Sequence, residues 1–210
     1  HAFGAFGEME QPLHAAARAV AKIAGFVVPR EPKTSFCVSN IHGGNDTGIH
    51  AIAPKATIKF NFRSNSPEEL DKLRDQIFKA IEEACQEETD KWGKDTITWD
   101  KKIVSSIPGG THDAHAPLVE AAYLGLSSLG VEPVFGRGGC TNANVAIAKG
   151  IPALCMGRAY APDEESKNIM NHSVHEKFPI HGSYKAVQQV LMMLLMAAGV
   201  EGGFPSILEE

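Results

Sequence analysis

The fold is decided by residues 56–69, ATIKFNFRSNSPEE, where the sequence changes from a strand pattern to a helix start. The first half alternates Ile, Phe and Phe with polar residues, which predicts a strand over Ala56–Arg63 with one apolar face. The second half, Asn65–Glu69, supplies a capping residue, a first-turn proline and two acids near the positive end of the helix dipole. We therefore expect a strand that turns directly into an amphipathic helix.

The flanking sequence predicts more elements of the same unit. They are a helix over Pro12–Ala24 ended by Gly25, a strand over Phe36–Ile41, an apolar helical stripe from Leu70 to Ala84, and a strand over Thr96–Trp99. The order is helix, strand, strand, helix, strand. With one strand added before His1 it would become a ferredoxin-like βαββαβ unit.

The second half of the chain predicts strands that alternate with helices. After a linker at Ser105–Ala116 we expect a helix at Leu118–Leu129, a strand at Glu132–Phe135, a helix at Asn142–Lys149, a strand at Ile151–Met156, a polar loop at Tyr160–Asn171 and a helix at His181–Ala198. Such alternation predicts an α/β domain with a parallel or mixed sheet. The predicted organisation is an α+β domain over 1–104, part of an α/β domain over 105–200, and a loose tail over 201–210.

Composition narrows the class of protein. The chain has 210 residues and a net charge of −5, with no cluster of Lys and Arg, which disfavours nucleic acid as a partner. The apolar run at Val190–Val200 is too short to span a membrane. The four cysteines lack CxxC spacing, which predicts buried free thiols in a reducing cytoplasm. Because the chain starts at His1 without a methionine, we expect either that its N-terminus has been removed or that it is a piece of a larger protein.

Three motifs could carry chemistry, and each has an ordinary alternative. Asn171–Glu176 contains His172 and His175, which could bind zinc or could be surface histidines in a loop. The glycine-rich stretch Gly136–Asn144 leads into a helix and could bind an anion or form a plain capped turn. Arg63 ends its strand, where it could grip a carboxylate or be solvated.

Taken in order, these residues resemble the M20 family of metallopeptidases. The matching passages are His1-Ala2-Phe3 with the Pro12 helix; Gly43-Gly44, His50–Ala53 and Asn61–Ser64; Gly138–Asn144 with Gly150–Ala153; and His172-Ser173 with Glu176. They resemble the start of the family's lid, its "GG…NxIP…DxRS" passage, its "GG-S/T-TDAN…GIPA" passage and its closing "HSxxE". The resemblance implies a dimerisation lid followed by the last part of a catalytic domain.

The resemblance also implies roles for particular residues. It makes His172 a ligand of one of two zinc ions (cobalt or manganese in some members), and His1 the lid histidine that stabilises the oxyanion across the dimer. It makes Arg63 the group that binds the substrate carboxylate, and His50 a substrate-binding residue that could donate to an oxyanion or a carboxylate. The turn Gly139, Cys140, Thr141 and Asn142 would line the same pocket. The implied substrate is a small peptide or N-acyl amino acid, and the implied partner is a second copy bound through the lid.

Several departures from the family pattern alter this implication. The lid asparagine corresponds to His50, the following proline to Ala53, and two aspartates to Asn61 and Asn142. The family's HxD pair, bridging aspartate, catalytic glutamate and remaining carboxylate ligands precede the region that matches His1. We therefore expect this chain alone to be inactive.

Three hypotheses remain open at this point. The first is the C-terminal portion of a working M20 enzyme whose N-terminal catalytic half is missing. The second is a non-catalytic dimerisation or binding remnant of the same family. The third is an unrelated ferredoxin-like domain that binds amino acids, which would leave the His172 and Gly139 motifs unexplained.

Overall fold

A computed structural model describes residues 1–44, 47–110, 112–134, 136, 139–157 and 170–208. The elements are α1 (Pro12–Ala24), β1 (Thr34–Gly43), β2 (Ala56–Ser64), α2 (Pro67–Trp92), α3 (Pro117–Ser128), α4 (Ala143–Ala148) and α5 (Tyr184–Ala198). The chain divides into two compact units, His1–Ser106 and Ile107–Glu210. Helices with a small antiparallel sheet confirm an α+β first unit.

The helix α1 has the bounds that the sequence predicts. Pro12 occupies its first turn, where a missing N–H costs nothing, and the backbone N–H of Gly25 closes its end on Lys22 and Ile23 carbonyls. One face is buried through three alanines and Ile23. The small alanine side chains allow the helix backbone to approach its neighbours closely.

The sheet consists of β1 and β2 paired antiparallel. Phe36 lies opposite Phe62 and Val38 opposite Phe60, and all four pack against the apolar core on the helix side. A register shift between Val38 and Asn40 leaves Ser39 as an extra residue in β1. The opposite face of β2 carries the exposed residues Lys59, Asn61 and Arg63, as the alternating pattern predicts.

The helix α2 begins where the sequence predicts and runs further than its apolar stripe. The Ser66 hydroxyl accepts a hydrogen bond from the Glu69 N–H at 3.3 Å, and Gly93 ends the helix in the left-handed region at φ 70°. The side chains of Leu73 and Ile77 are almost fully buried against Ile23 of α1. Burial of each such side chain contributes about 1.5–3 kcal/mol.

The predicted strand at Thr96–Trp99 is wrong. These residues have no regular secondary structure and pair with no strand among the described residues. The Thr96 N–H and hydroxyl both donate to the carboxylate of Glu10 instead. An alternating pattern alone does not form a strand, because a strand needs a neighbour for its backbone groups.

The second unit contains α3, α4 and α5, with helix bounds close to those predicted. The predicted strands at Glu132–Phe135 and Ile151–Met156 are wrong for residues 132–134 and 151–156, which are in no strand, while Phe135 lies outside the described residues. Pro133 and Pro152 lack the N–H that a central strand needs. The predicted parallel or mixed sheet is therefore absent from the described part of this unit.

Residues 200–208 turn back along the end of α5, although the sequence predicts a loose tail there. Val200 forms a bridge with Phe204, and the Ser206 hydroxyl donates to the Ala197 carbonyl at 2.6 Å. Gly199 has a φ of 74°, and an added Cβ would lie 2.7 Å from the Ser206 nitrogen. The turn therefore depends on glycine at this position. Residues 209–210 and most of the predicted loop at 160–171 lie outside the described residues.

The four cysteines are free; three of them are exposed and Cys85 is half-buried. Cys37, Cys140 and Cys155 are exposed, so the prediction of burial is wrong for them. They fall on the polar face of a strand or in loops, where apolar packing does not cover them. Burial raises the pKa of the Cys85 thiol. None of the helices described is both long enough and apolar enough to cross a membrane.

Candidate functional site

The structure brings His1 and His50 together in the first unit. Their ring centres are 5.3 Å apart, with an angle of 31° between the ring planes. The Ala2 N–H donates to the His50 carbonyl at 2.7 Å, which ties the two backbone segments together. Both residues are exposed. The sequence marks each histidine through the family resemblance, but nothing in its spacing indicates that the two rings face each other.

Arg63 lies at the end of β2 on the exposed face of the sheet. Its Nε–H donates to Asn61 Oδ1 at 3.2 Å, two residues earlier on the same strand. In the described parts of the chain no acidic side chain forms an ion pair with Arg63, in contrast to Arg18 and Arg74. Asn61 therefore orients the guanidinium but does not neutralise its positive charge. The guanidinium can still donate hydrogen bonds to the carboxylate of a ligand.

No hydrogen bond or ion pair joins Arg63 to His1 or His50 among the described residues. The strand carries Arg63, whereas the turn before residue 53 carries His50, and the start of the chain carries His1. The first unit thus contains two separate exposed features, an imidazole pair and an arginine at a strand end.

A buried carboxylate that is not among the predicted site residues fixes the start of α1. Glu88 is fully buried on α2 and accepts hydrogen bonds from Arg18, from the Gln11 N–H at 3.0 Å and from Trp92 Nε1 at 2.7 Å. Burial by itself would raise the pKa of Glu88. The hydrogen bonds from Arg18, Gln11 and Trp92 outweigh burial and lower that pKa below its ordinary value.

A signal for Glu88 is nevertheless present in the sequence. It continues the apolar stripe of α2 one turn beyond Ala84, and an acid at a core-facing helix position requires a buried partner. Glu10 has a similar role. It is buried and accepts from the Lys94 and Thr96 N–H groups and from the Thr96 hydroxyl. These bonds lower its pKa despite the opposing effect of burial.

In the second unit, the glycine-rich turn is capped by its own side chains. Thr141 Oγ1 accepts from the Ala143 N–H at 3.2 Å, and Asn144 Oδ1 accepts from the Thr141 N–H at 2.8 Å. This reciprocal arrangement satisfies N–H groups that would otherwise be available to an anion. Gly139, Cys140 and Asn142 are exposed, and Arg137 and Gly138 lie outside the described residues.

His172 is exposed and has a left-handed backbone, with φ of 63°. Its N–H donates to Glu176 Oε2 at 3.0 Å, and Ser173 Oγ donates to the Met170 carbonyl at 2.8 Å. A positive φ at a histidine is uncommon, and the bond to Glu176 holds the backbone there. No hydrogen bond or ion pair between His172 and the Gly139–Asn142 turn occurs among the described residues.

The residues that the structure describes do not make a complete metal site. Within residues 1–44, 47–110, 112–134, 136, 139–157 and 170–208, no three His, Cys, Asp or Glu side chains come together in a way that could hold an ion. A zinc site uses three or four protein ligands, and a two-metal site needs more. His172 could therefore supply only one ligand to such a site.

The comparisons with known proteins agree with the fold. Residues 1–89 match the family model of the peptidase dimerisation domain, M20_dimer. Among solved structures, the chain is similar to aminopeptidase PepT from Bacillus cereus ATCC 10987, with a TM-score of 0.62 and 22% identity. That match covers 92% of this chain and 47% of the PepT chain, so the chain spans about half the length of that relative. No curated protein sequence matches the chain.

Proposed function

We propose that this chain is the dimer-forming and carboxylate-binding portion of a metal-dependent peptidase, because residues 1–89 match the family model of the M20 peptidase dimerisation domain. The intact enzyme hydrolyses an amide bond in a small peptide or N-acyl amino acid that has a free carboxylate. The second unit belongs to its catalytic domain. A separate N-terminal half of that domain supplies the catalytic glutamate and the remaining metal ligands.

The observation that carries this proposal is the state of Arg63. Its guanidinium is exposed at the end of β2, is oriented by Asn61, and has no acidic partner in the described parts of the chain. An unneutralised guanidinium presents paired donors that match the two oxygens of a carboxylate. This geometry favours recognition of the free carboxylate end of a substrate.

The other site residues receive roles in the same proposal. His1 donates to the oxyanion that forms on the attacked carbonyl. His50 lies beside His1, at the position where the family has the lid asparagine. Gly139, Cys140, Thr141 and Asn142 line the substrate pocket, and His172 provides one ligand to zinc, cobalt or manganese. When bound, the metal ions activate water and polarise the carbonyl. Support for these roles comes from the matching motifs and, for His1 and His50, from the 5.3 Å between their rings.

A second candidate function is a non-catalytic binding or dimerisation remnant of the same family. Asn61 and Asn142 favour it, because both stand where the family pattern has an aspartate. Either way we expect no hydrolysis of dipeptides or N-acetyl amino acids by this chain alone, with or without added Zn²⁺, Co²⁺ or Mn²⁺. Co-expression with an N-terminal catalytic half separates the two candidates, since only the first predicts that activity appears.

Titration of the ¹⁵N-labelled chain with N-acetylglycine and with N-acetylglycinamide tests the role of Arg63. We expect the carboxylate to bind more tightly than the amide and Arg63→Ala to weaken carboxylate binding about ten- to a hundredfold, the worth of a charged hydrogen bond. Arg63→Lys should retain part of the affinity, because a lysine offers charge without the fork.

Arg30→Ala is the matched control, since Arg30 is also exposed and forms no ion pair with a described acid. Its binding should equal that of the original chain. Equal affinity for N-acetylglycine and N-acetylglycinamide would contradict carboxylate binding at Arg63. Equal losses of N-acetylglycine affinity in Arg63→Ala and Arg30→Ala would contradict it as well.

A further inference from the structure

The two imidazoles of His1 and His50 lie close together in the first unit. The separation of 5.3 Å between their ring centres is the key quantity. Two imidazoles that bind one zinc ion tetrahedrally, with Zn–N distances of about 2.0–2.1 Å, have ring centres about 5 Å apart. The pair already has the spacing that a shared ion requires.

The backbone holds this spacing. The Ala2 N–H donates to the His50 carbonyl at 2.7 Å, the Ala5 N–H donates to the His1 carbonyl at 2.9 Å, and the Ala51 N–H donates to Gly48 at 3.2 Å. The first bond joins the two short segments at the residues that carry the rings, and the other two are turns within each segment. Binding by a prearranged pair loses less conformational entropy than binding by two independent side chains.

The ring nitrogens are also available. Both histidines are exposed, and neither ring forms a hydrogen bond or ion pair with any other described residue. In contrast, His112 shares its Nε2 with the backbone of Ala153, and His115 contacts Glu120. Nothing in the described structure needs to be displaced before an ion binds to His1 and His50.

We propose that His1 and His50 form a two-imidazole site for a borderline divalent transition-metal ion such as Zn²⁺, Ni²⁺ or Cu²⁺. Imidazole nitrogen favours these ions over Mg²⁺ and Ca²⁺, which prefer oxygen ligands. Two protein ligands are fewer than the three or four of a structural or catalytic zinc site, so water or a small anion would fill the remaining coordination positions. This site goes beyond the proposed function, because it needs neither His172 nor Arg63.

Zn²⁺ alone is the probe for this site. In a calorimetric titration of the whole chain, we expect His1→Asn and His50→Asn each to weaken the tightest Zn²⁺ binding about tenfold or more, since either change removes chelation. The double variant should be little weaker than either single one. In ¹H–¹³C spectra, the Hε1 signals of His1 and His50 should move together as Zn²⁺ is added, while Mg²⁺ should move neither.

His42→Asn is the matched control, because His42 is an exposed histidine in the same unit outside the pair. Its Zn²⁺ affinity should be unchanged. Affinity that survives both changes in the pair, or that falls equally in His42→Asn, would overturn the proposal. Arg63→Ala should leave Zn²⁺ binding intact. Failure of the His1–His50 metal site can therefore be distinguished from failure of carboxylate binding at Arg63.

Discussion

At the residue scale, the stability of the first unit depends on one buried carboxylate. Glu88 has a fully buried side chain, and Arg18, which pairs with it, is 29% exposed. Removal of Glu88 would leave the charge of Arg18 without its partner in a poorly solvated environment, which destabilises the folded state. The cluster connects the start of α1 to the C-terminal part of α2.

We predict that Glu88→Ala lowers the free energy of unfolding by about 3 kcal/mol, the lower end expected for a broken buried pair because Arg18 keeps some contact with water. Chemical unfolding followed by circular dichroism measures this. Glu87→Ala is the control: Glu87 is 46% exposed and pairs with Lys22 on the surface, so its loss should cost less than about 1 kcal/mol. Similar costs for the two variants would show that the Glu88 cluster is unimportant.

The same carboxylate predicts how stability depends on pH. The hydrogen bonds to Glu88 lower its pKa in the folded state below the ordinary value of 4.5. Because the folded-state pKa of Glu88 is lowered, the stability that Glu88 contributes is present above pH 4.5. That contribution is lost as the pH falls through the lowered pKa. We expect Glu88→Gln to be less stable than the original chain at pH 7 and to lose less further stability below pH 4.5. Melting temperatures between pH 3 and 7 check this, and parallel curves for the two proteins would contradict it.

At the element scale, the contact between the end of β1 and α1 requires a glycine. A Cβ on Gly43 would lie 2.7 Å from Leu13 Cδ2 and 2.8 Å from the Lys55 carbonyl oxygen. The leucine could move, but the Lys55 oxygen belongs to the backbone leading into β2. The strand end therefore has no room for a side chain.

We predict that Gly43→Ala lowers the free energy of unfolding by about 1–3 kcal/mol, as overpacking does. Gly109→Ala should change it by less than about 0.5 kcal/mol, because no atom lies within 4 Å of its added Cβ and the site is exposed. Urea unfolding of both variants gives the comparison. A stable Gly43→Ala protein would mean that α1 and the strand end are less closely packed than described.

Local signals were sufficient to predict the helices and the two paired strands. Pro12 and Gly25 bound α1, Ser66 and Pro67 start α2, and the alternation in β2 identifies its buried face. The predicted strands at Thr96–Trp99 and Ile151–Met156 failed because a strand depends on a partner elsewhere. The Thr96 N–H binds a side chain, and the Ala153 N–H donates to His112.

The candidate site could be predicted only in part for the same reason. Motifs identified His1, His50, Arg63 and His172, but the pairing of His1 with His50 and the orientation of Arg63 by Asn61 depend on three-dimensional contacts. The hydrogen bonds between Thr141 and Asn144 and from the Ala143 N–H to Thr141, at the start of α4, are further contacts of this kind. The sequence therefore identifies which residues could form the site, whereas the folded structure determines which of them lie next to each other.

At the scale of the whole molecule, the proposal requires a second copy of the chain. The sheet has only two strands among the described residues, so β1 has an outer edge beside α1. A groove next to β1 is lined by Val20 and Ala24 of α1 and by residues 36–41 of β1. An open strand edge next to apolar side chains favours pairing with another chain, which agrees with a dimerisation domain.

Light scattering after size exclusion tests this central claim most directly. We expect the 22.5 kDa chain to have twice its monomer mass. Ile41 lies in the groove and its side chain is 44% exposed. Ile41→Glu should therefore reduce the mass to that of one chain. Ile103→Glu, at an exposed isoleucine outside the groove, should remain dimeric. A monomeric original chain, or a dimer that persists in Ile41→Glu, would contradict dimerisation through this edge.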